Sequence, residues 1–163
     1  MVRCTFSPAR AWRPAVVAPL ARTLGLMSEH FIYSESLESV VAADLDGFLS
    51  HWDFTPPAGT LLKMLTGSSL VILARDPHSS RICGYIAALT DQVVCGYISA
   101  IEVRPEYREQ GIGTALLNQM TERLNVYGIY LSCAPAMIPF YESAGFKQVA
   151  ALAKRRLPVA NEA

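Results

Sequence analysis

The segment from Val103 to Leu117 constrains the fold most, because it has the pattern of a strand that passes through a turn into an amphipathic helix. Two glycines, Gly111 and Gly113, stand at the predicted helix start, where the absence of a side chain lets the backbone approach a ligand closely. The free N–H groups of a helix start and the positive end of its dipole favour an anion. The segment therefore predicts a site for a phosphate or pyrophosphate group.

The spacing of these glycines excludes two common phosphate-binding loops. A dinucleotide fingerprint needs a third glycine where this chain has Leu116, and a P-loop needs a Gly-Lys-Ser or Gly-Lys-Thr sequence, which is absent. A tight turn without a ligand is the other interpretation, but two glycines cost a helix about 1 kcal/mol each relative to alanine. We therefore favour a ligand site.

Helix and strand patterns alternate around this segment. The predicted strands are Leu70 to Ala74, Ile82 to Leu89, Val93 to Val103, Ile129 to Cys133, and one or two closing strands from Phe146 to about Leu157. The predicted helices are one after Ser36 with an apolar stripe of Val41, Leu45, Phe48 and Trp52, one that follows Pro57, one from Gly111 to about Tyr127, and one from Ala136 to Ala144. This order predicts one α/β domain of the α+β type, with a mixed, mostly antiparallel central sheet flanked by about four helices.

Composition limits the function classes. The 163 residues are 52% hydrophobic, which suits one domain with a sizeable core. Fourteen basic and fourteen acidic side chains give a net charge of zero, so no chain-wide field favours nucleic acid or an anionic membrane. No apolar run approaches the roughly 18 to 20 residues of a spanning helix. The four cysteines and three histidines lack metal-ligand spacing, so we expect no metal site, no disulfide framework and a cytoplasmic location. We expect the protein to be a monomer or a homodimer.

Charge is unevenly distributed along the chain. Residues 1–26 contain four arginines, three prolines and no acidic residue. This pattern suits a disordered leader or an extension upstream of a natural start at Met27, and the alternatives are a transit-type segment or a short basic arm. We expect the folded domain to span residues 27–163.

Two motifs resemble those of a known family. The spacing Arg108-x-x-Gly111-x-Gly113, with its Val-x-Pro-x-Tyr lead-in, resembles the pyrophosphate-binding motif of the GNAT superfamily of acyl-CoA-dependent N-acetyltransferases. The sequence from Pro139 to Phe146 is similar to the second signature of that superfamily, an aromatic-Tyr-Glu helix that ends in Gly-Phe. The resemblance covers residues 30–157 and implies a GNAT-like single domain that uses acetyl-CoA.

The resemblance also implies which residues bind the cofactor. The pyrophosphate would lie on the backbone amides of Arg108, Glu109, Gln110, Gly111, Ile112, Gly113 and Thr114. The pantetheine arm would pair with the strand end at Ile101 and Val103, like an added strand. One departure is Ala134, which stands where many members carry an asparagine.

Two residues are candidates for proton transfer. Tyr141 resembles the general acid of the superfamily, and its alternative role is to pack against Phe140 and Phe146. Glu102 is the candidate general base, because a carboxylate at the end of an apolar strand is unusual. The alternative for Glu102 is an ion pair with a neighbouring arginine, Arg104 or Arg108.

The acceptor site is less specified by the sequence. The loop between the first two helices carries Trp52, Asp53 and Phe54, which could hold an amine through charge and cation–π contacts, and Tyr85 is a further candidate. Core packing is at least an equal alternative for Trp52, and Tyr85 is open to the same two interpretations. Cys133 could lie close to the cofactor thiol, but we favour the interpretation of a buried structural cysteine.

Three function classes follow from these residues and motifs. The first is an N-acetyltransferase that moves an acetyl group from acetyl-CoA to a primary amine of a small molecule, by direct attack in a ternary complex. The second is a protein N-terminal or lysine acetyltransferase. The third is a coenzyme A-binding module without turnover, against which the presence of Tyr141 argues.

Overall fold

The computed structural model describes residues 31–50, 57 and 59–154. The strands are β1 (Ile32–Ser34), β2 (Leu70–Arg75), β3 (Ile82–Thr90), β4 (Cys95–Val103) and β5 (Gly128–Leu131). The α-helices are α1 (Thr60–Thr66), α2 (Ile112–Arg123) and α3 (Ile138–Ser143). Three short 3₁₀-helices span Ala42–Leu45, Pro105–Tyr107 and Pro135–Met137.

The five strands form one sheet in the order β1-β2-β3-β4-β5. Neighbouring strands are antiparallel except β4 and β5, which are parallel. The mixed, mostly antiparallel sheet is therefore confirmed, with three α-helices in the described residues rather than four.

Two hydrophobic cores lie on the two faces of the sheet. Helix α2 covers one face, where the buried side chains include Ile72, Ile86, Ile98, Ile112, Leu116, Leu117 and Met120. Helix α1 and residues 40–49 cover the other face, where the buried side chains include Val40, Leu45, Phe48, Leu61, Leu65, Val71, Leu73 and Tyr85. Because β2 and β3 are buried on both faces, their continuous apolar sequences are explained.

The segment after Ser36 does not form the predicted α-helix. It contains only the 3₁₀-helix Ala42–Leu45 followed by turns, and Val41 of the predicted stripe is 55% exposed. The backbone enters the left-handed region at Gly47 (φ 87°) and at Leu49 (φ 63°), which interrupts a right-handed helix. Trp52, the last member of the stripe, lies outside the described residues.

The two ends of the described fold also differ from the prediction. Strand β1 has only three residues, too few to give a clear sequence pattern, and it was not predicted. No strand forms between residues 146 and 154, where Val149 is 68% exposed. That segment has no partner strand in the described chain, so a β-prone sequence alone does not form a ladder there.

Strands β4 and β5 separate before β4 ends. Their pairing begins at Cys95 with Gly128 and stops at Ile98 with Leu131. At that point β4 has a bulge against β3, since Ala87 pairs with Ala100 whereas the next residue, Ala88, pairs with Ile98. The last part of β4 therefore has a free edge on its β5 side.

Candidate active site

The divergence of β4 and β5 opens a cleft of about 660 Å³. Its walls are the free end of β4, the start of α2, and the region from β5 to α3. The predicted site residues that line it are Tyr85, Ile101, Glu102, Val103, Arg108, Glu109, Gly111, Ile112, Gly113, Thr114 and Tyr141. The structure thus brings most of the predicted set together in one place. Trp52, Asp53 and Phe54 lie outside the described residues.

Helix α2 begins with unpaired backbone donors. Gly111 is the residue before the helix and has φ of 79°, and the first helical bond runs from the Ala115 N–H to the Gly111 carbonyl at 3.0 Å. Among the described residues, no acceptor takes the N–H groups from Glu109 to Thr114. These donors and the helix dipole fit a pyrophosphate by their chemistry.

The two glycines have different structural reasons. A Cβ at Gly111 would meet no atom within 4 Å, so the positive φ and not the space requires glycine there. A Cβ at Gly113 would lie 3.8 Å from Phe140 Cζ and from Val103 Cγ2, which is ordinary contact. The fold alone therefore does not require glycine at position 113.

The residues Arg108 to Thr114 form the predicted pyrophosphate cradle. Two of them, Arg108 and Gln110, make hydrogen bonds to the preceding segment, residues 103–106. The Arg108 N–H donates to the Pro105 carbonyl at 3.3 Å, and the Arg108 Nε donates to the Val103 carbonyl at 3.1 Å. The Arg108 side chain is thereby oriented beside the cleft. Gln110 does not line the cleft, and its side-chain amide donates to the Glu106 carbonyl at 3.4 Å.

The turn before the glycines is attached to the β2–β3 hairpin. The Tyr107 hydroxyl donates to Asp76 Oδ2 at 3.1 Å, and Arg81 pairs with Glu106 at 3.0 Å. Backbone N–H groups in the hairpin turn, first that of Ser79, lower the pKa of Asp76 to about 2, so this acceptor stays ionised. These contacts fix the position of the turn that leads into α2.

The free edge of β4 carries the two residues predicted to face the pantetheine arm. Ile101 and Val103 have half-buried side chains that pack against the α2 core. Their side chains are thus fixed by the fold, while the strand edge beyond Ile98 has no partner strand among the described residues. Peptide groups on such an edge can pair with an extended ligand that carries amides.

Glu102 is held by two donors and not by an arginine. The Leu49 N–H lies 3.2 Å from Oε1 and 3.1 Å from Oε2, and the Tyr85 hydroxyl donates to Oε2 at 3.3 Å. The predicted alternative, an ion pair with Arg104 or Arg108, is not formed in the described structure. Glu102 therefore keeps one oxygen, Oε1, that accepts from the Leu49 N–H alone.

Tyr85 lies beneath Glu102 and not at the surface. Its side chain is buried, and its ring packs edge to face against Phe48 with 5.1 Å between ring centroids. Burial is the main cause that raises the pKa of Tyr85, and the negative charge of Glu102 raises it further. The Tyr85 hydroxyl therefore remains a donor. Contact of Tyr85 with an acceptor stays a prediction.

Arg104 is the one charged side chain buried within the described residues, and no motif in the sequence marks it as a functional residue. Its guanidinium donates to the carbonyls of Ile82 (2.7 Å), Asp46 (2.7 Å) and Asp44 (3.1 Å). It also lies 4.2 Å above the ring of Phe48. Burial is the main cause that lowers the pKa of Arg104. Its only sequence signal is its position two residues after Glu102, on the same face of the chain.

Glu102 and Arg104 together hold the segment 44–49 against the end of β4. The packing is tight, because a Cβ at Gly47 would lie 3.0 Å from Arg104 Nη1. Segment 44–49 is therefore fixed beside the cleft by side chains more than 50 positions away in the sequence.

Tyr141 contributes a phenol to the cleft wall. The residue is 8% exposed, and its ring packs edge to face against Phe140 (5.0 Å) and Phe146 (5.9 Å). Its hydroxyl has no hydrogen-bond partner in the described chain. Within the same residues, every side-chain oxygen that is buried from solvent has a hydrogen-bond partner, so this hydroxyl is open to solvent. Burial first, and then the neighbouring Cys133, raise the pKa of Tyr141, which keeps it protonated at neutral pH.

Cys133 was predicted to be buried, and this prediction is wrong. The residue is exposed and lines the cleft, because it follows the end of β5, where the chain leaves the sheet. Its thiol is free.

Two further findings concern the described part of the chain. No helix there is long and apolar enough to cross a membrane. Within the same residues, no three His, Cys, Asp or Glu side chains are grouped in a way that could hold a metal ion.

Comparisons with known proteins agree with this fold. A protein of solved structure from Deinococcus radiodurans R1, assigned as an acetyltransferase, is 30% identical with a TM-score of 0.74, over 82% of this chain and 94% of that chain. A GNAT family acetyltransferase from Streptococcus pneumoniae is 21% identical with a TM-score of 0.63, over 78% and 100% of the two chains. Glucosamine-6-phosphate N-acetyltransferase from Arabidopsis thaliana is 15% identical with a TM-score of 0.61, over 78% and 99%. The last two likenesses show a shared fold alone.

Comparison with curated protein sequences found no match. The model of the acetyltransferase (GNAT) family matches residues 36–146, which is more than half of the chain and includes both the cradle and Tyr141. The chain therefore belongs to the GNAT family of acetyltransferases.

Proposed function

We propose that this chain moves an acetyl group from acetyl-CoA to the primary amine of a small molecule, by direct attack in a ternary complex. One observation carries the proposal: a single cleft joins the unpaired donors at the start of α2, the free edge of β4 and the phenol of Tyr141. Each of the three matches a different part of such a donor.

The cofactor would be held mainly by the backbone. The N–H groups from Glu109 to Thr114 would bind the pyrophosphate, and the Arg108 guanidinium would add positive charge. The edge of β4 at Ile101 and Val103 would bind the amides of the pantetheine arm. Bound acetyl-CoA supplies a thioester, an activated acyl group whose leaving group is a thiolate.

Tyr141 would hold the proton that the departing thiolate takes. A free thiol has a pKa of about 8.5, so protonation helps the departure without being indispensable. A phenol whose pKa is raised by burial is protonated at neutral pH and can donate from the wall of the cleft.

Glu102 would accept the proton that the amine must lose. An amine is mostly protonated near neutral pH, and attack on a thioester requires its free lone pair. Oε1 of Glu102 accepts only from the Leu49 N–H, so it has room for an ammonium proton, directly or through a water molecule. The Tyr85 hydroxyl and the Leu49 N–H hold the carboxylate in place.

A library of amines and peptides, scored by thiol release from acetyl-CoA, tests this function. We expect turnover with a subset of small amines and little with peptides. Turnover with peptides alone would instead favour a protein N-terminal or lysine acetyltransferase. Binding of acetyl-CoA without thiol release for any acceptor would favour a module without turnover.

A further inference from the structure

Cys133 places a free thiol in the cofactor cleft. It stands two residues after the end of β5, across the cleft from the free edge of β4. The residue is exposed and makes no side-chain hydrogen bond in the described structure. A second cavity of about 630 Å³ shares Leu131, Cys133 and Tyr141 with the cleft, so these side chains form the wall between the two.

Tyr141 independently marks this wall as a ligand position. Its side chain is more than nine-tenths buried, yet its hydroxyl has no partner in the described chain and is open to solvent. An open hydroxyl on a buried ring can donate a hydrogen bond to a ligand in the cleft. The Cys133 thiol is close enough to act electrostatically on that phenol.

We propose that Cys133 is a covalent modification site that captures coenzyme A from a disulfide, which closes the cleft to acetyl-CoA. The proposal rests on the proposed placement of the cofactor, with its sulfur near Tyr141. The Cys133 thiolate attacks the coenzyme A sulfur of a mixed disulfide, the new S–S bond forms, and the other half leaves as a thiolate. The disulfide is itself the oxidant, so no other redox partner is needed.

The position of Cys133 gives the selectivity. Cys95 is also exposed, but it stands at the other end of β4 and does not line the cleft. Cys83 is buried, its thiol donates to the Ala74 carbonyl at 3.2 Å, and burial raises its pKa to about 11, so it is a poor nucleophile. Among these three cysteines, the cradle holds the coenzyme A half beside Cys133 alone, which raises the effective concentration there.

The mixed disulfide of coenzyme A and glutathione is the sharpest probe, because it offers both halves to every cysteine. We expect Cys133 to acquire coenzyme A rather than glutathione, at least about tenfold faster than Cys95 acquires either. Peptide mass mapping measures both rates on the full chain. Cys133→Ser should remove the rapid phase, Cys95→Ser should not, and acetyl-CoA should slow it.

The modified protein should lose acetyl-CoA binding and regain it after reduction with dithiothreitol. Equal labelling of Cys133 and Cys95, or glutathione as the main group on Cys133, would overturn the proposal. Calorimetry with acetyl-CoA on the reduced protein separates the two claims. Binding without capture refutes the Cys133 site alone, whereas absence of binding refutes the proposed function as well.

Discussion

At the scale of single residues, Tyr141 does two tasks that can be separated. Its ring packs between Phe140 and Phe146 and so belongs to the α2 core, while its hydroxyl has no partner in the described chain and is open. The hydroxyl can therefore be removed without disturbing the packing. The raised pKa places loss of its proton above the ordinary value for tyrosine.

Tyr141→Phe should lower turnover by about 10² to 10⁴, the usual contribution of a positioned acid. Melting temperature and acetyl-CoA affinity should stay nearly constant, because the ring remains. The measurement is the steady-state rate at saturating acetyl-CoA across a pH series, with single-turnover rates to exclude slow product release. In the parent, any decline that reflects ionisation of Tyr141 should have its midpoint above the ordinary pKa of tyrosine.

Tyr127→Phe is the matched control for this change. It removes the same hydroxyl from a side chain that is 79% exposed and does not line the cleft. Equal maximal rates for Tyr141→Phe and the parent at every pH would remove Tyr141 from the mechanism.

At the scale of elements, the start of α2 makes the sharpest claim about the cofactor. Its first donors are unpaired within the described chain because they precede the first helical hydrogen bond. The turn before them is held by the β2–β3 hairpin, and Gly111 takes a left-handed backbone conformation. A Cβ at position 111 meets no described protein atom within 4 Å, and Gly111 lines the cleft, so a side chain there would have room beside the proposed pyrophosphate site.

Gly111→Glu should weaken acetyl-CoA binding at least tenfold, which is about 1.4 kcal/mol, because it adds a negative charge beside the phosphates. Gly111→Asn is the control, since asparagine tolerates the left-handed conformation and adds no charge. Calorimetry on both folded variants gives the affinities. An unchanged affinity in Gly111→Glu would rule out the cradle.

Arg104 makes a second prediction at this scale. Arg104→Met leaves the carbonyls of Ile82, Asp46 and Asp44 without their donor, and unsatisfied buried groups cost about 1 to 3 kcal/mol each. We expect the free energy of unfolding to fall by about 3 kcal/mol. Arg81→Met should cost at most about 1 kcal/mol, because its ion pair with Glu106 is exposed. Equal losses in urea unfolding would show that Arg104 does not hold segment 44–49.

The elements that the sequence predicted well are those whose cause is local. Glycine chemistry and the four-residue apolar spacing locate α2 within a few residues, and apolar runs locate β2, β3 and β4. The segment 42–49 was predicted as an α-helix because its spacing is helical, but its backbone is held by Glu102 and Arg104. A contact between residues more than 50 positions apart leaves no local pattern in one sequence.

The candidate site divides in the same way. The cradle and Tyr141 follow from motifs and lie together in the cleft. The partners of Glu102 and the exposure of Cys133 depend on where strands end and diverge. The neighbouring residues in the sequence indicate neither the partners of Glu102 nor the exposure of Cys133.

At the scale of the whole molecule, the cleft joins two faces of one sheet. The cradle belongs to the α2 face, while Glu102 reaches the segment 44–49 on the α1 face. Both are attached to the same few residues of β4. Strand β4 therefore connects the proposed cofactor site on one face with the proposed acceptor side on the other.

A chain that starts at Met27 should keep both the melting temperature and the rate of thiol release of the full chain. The reason is that the described core and cleft are assembled from residue 31 onward. Differential scanning calorimetry and the acetyl-CoA assay compare the two chains. A large loss in either quantity would show that the arginine-rich segment docks on the domain.

The bulge in β4 also sets the phase of the strand. In an unbroken strand, residues an odd number of positions apart point to opposite faces. Ile98 and Ile101 are three apart, yet both contribute to the α2 core, because the extra residue Ser99 resets the alternation. An unbroken strand of the same sequence, with no bulge, would turn Glu102 toward α2 and Ile101 toward α1. The bulge is therefore as strict a requirement for the site as the identity of any side chain in the strand.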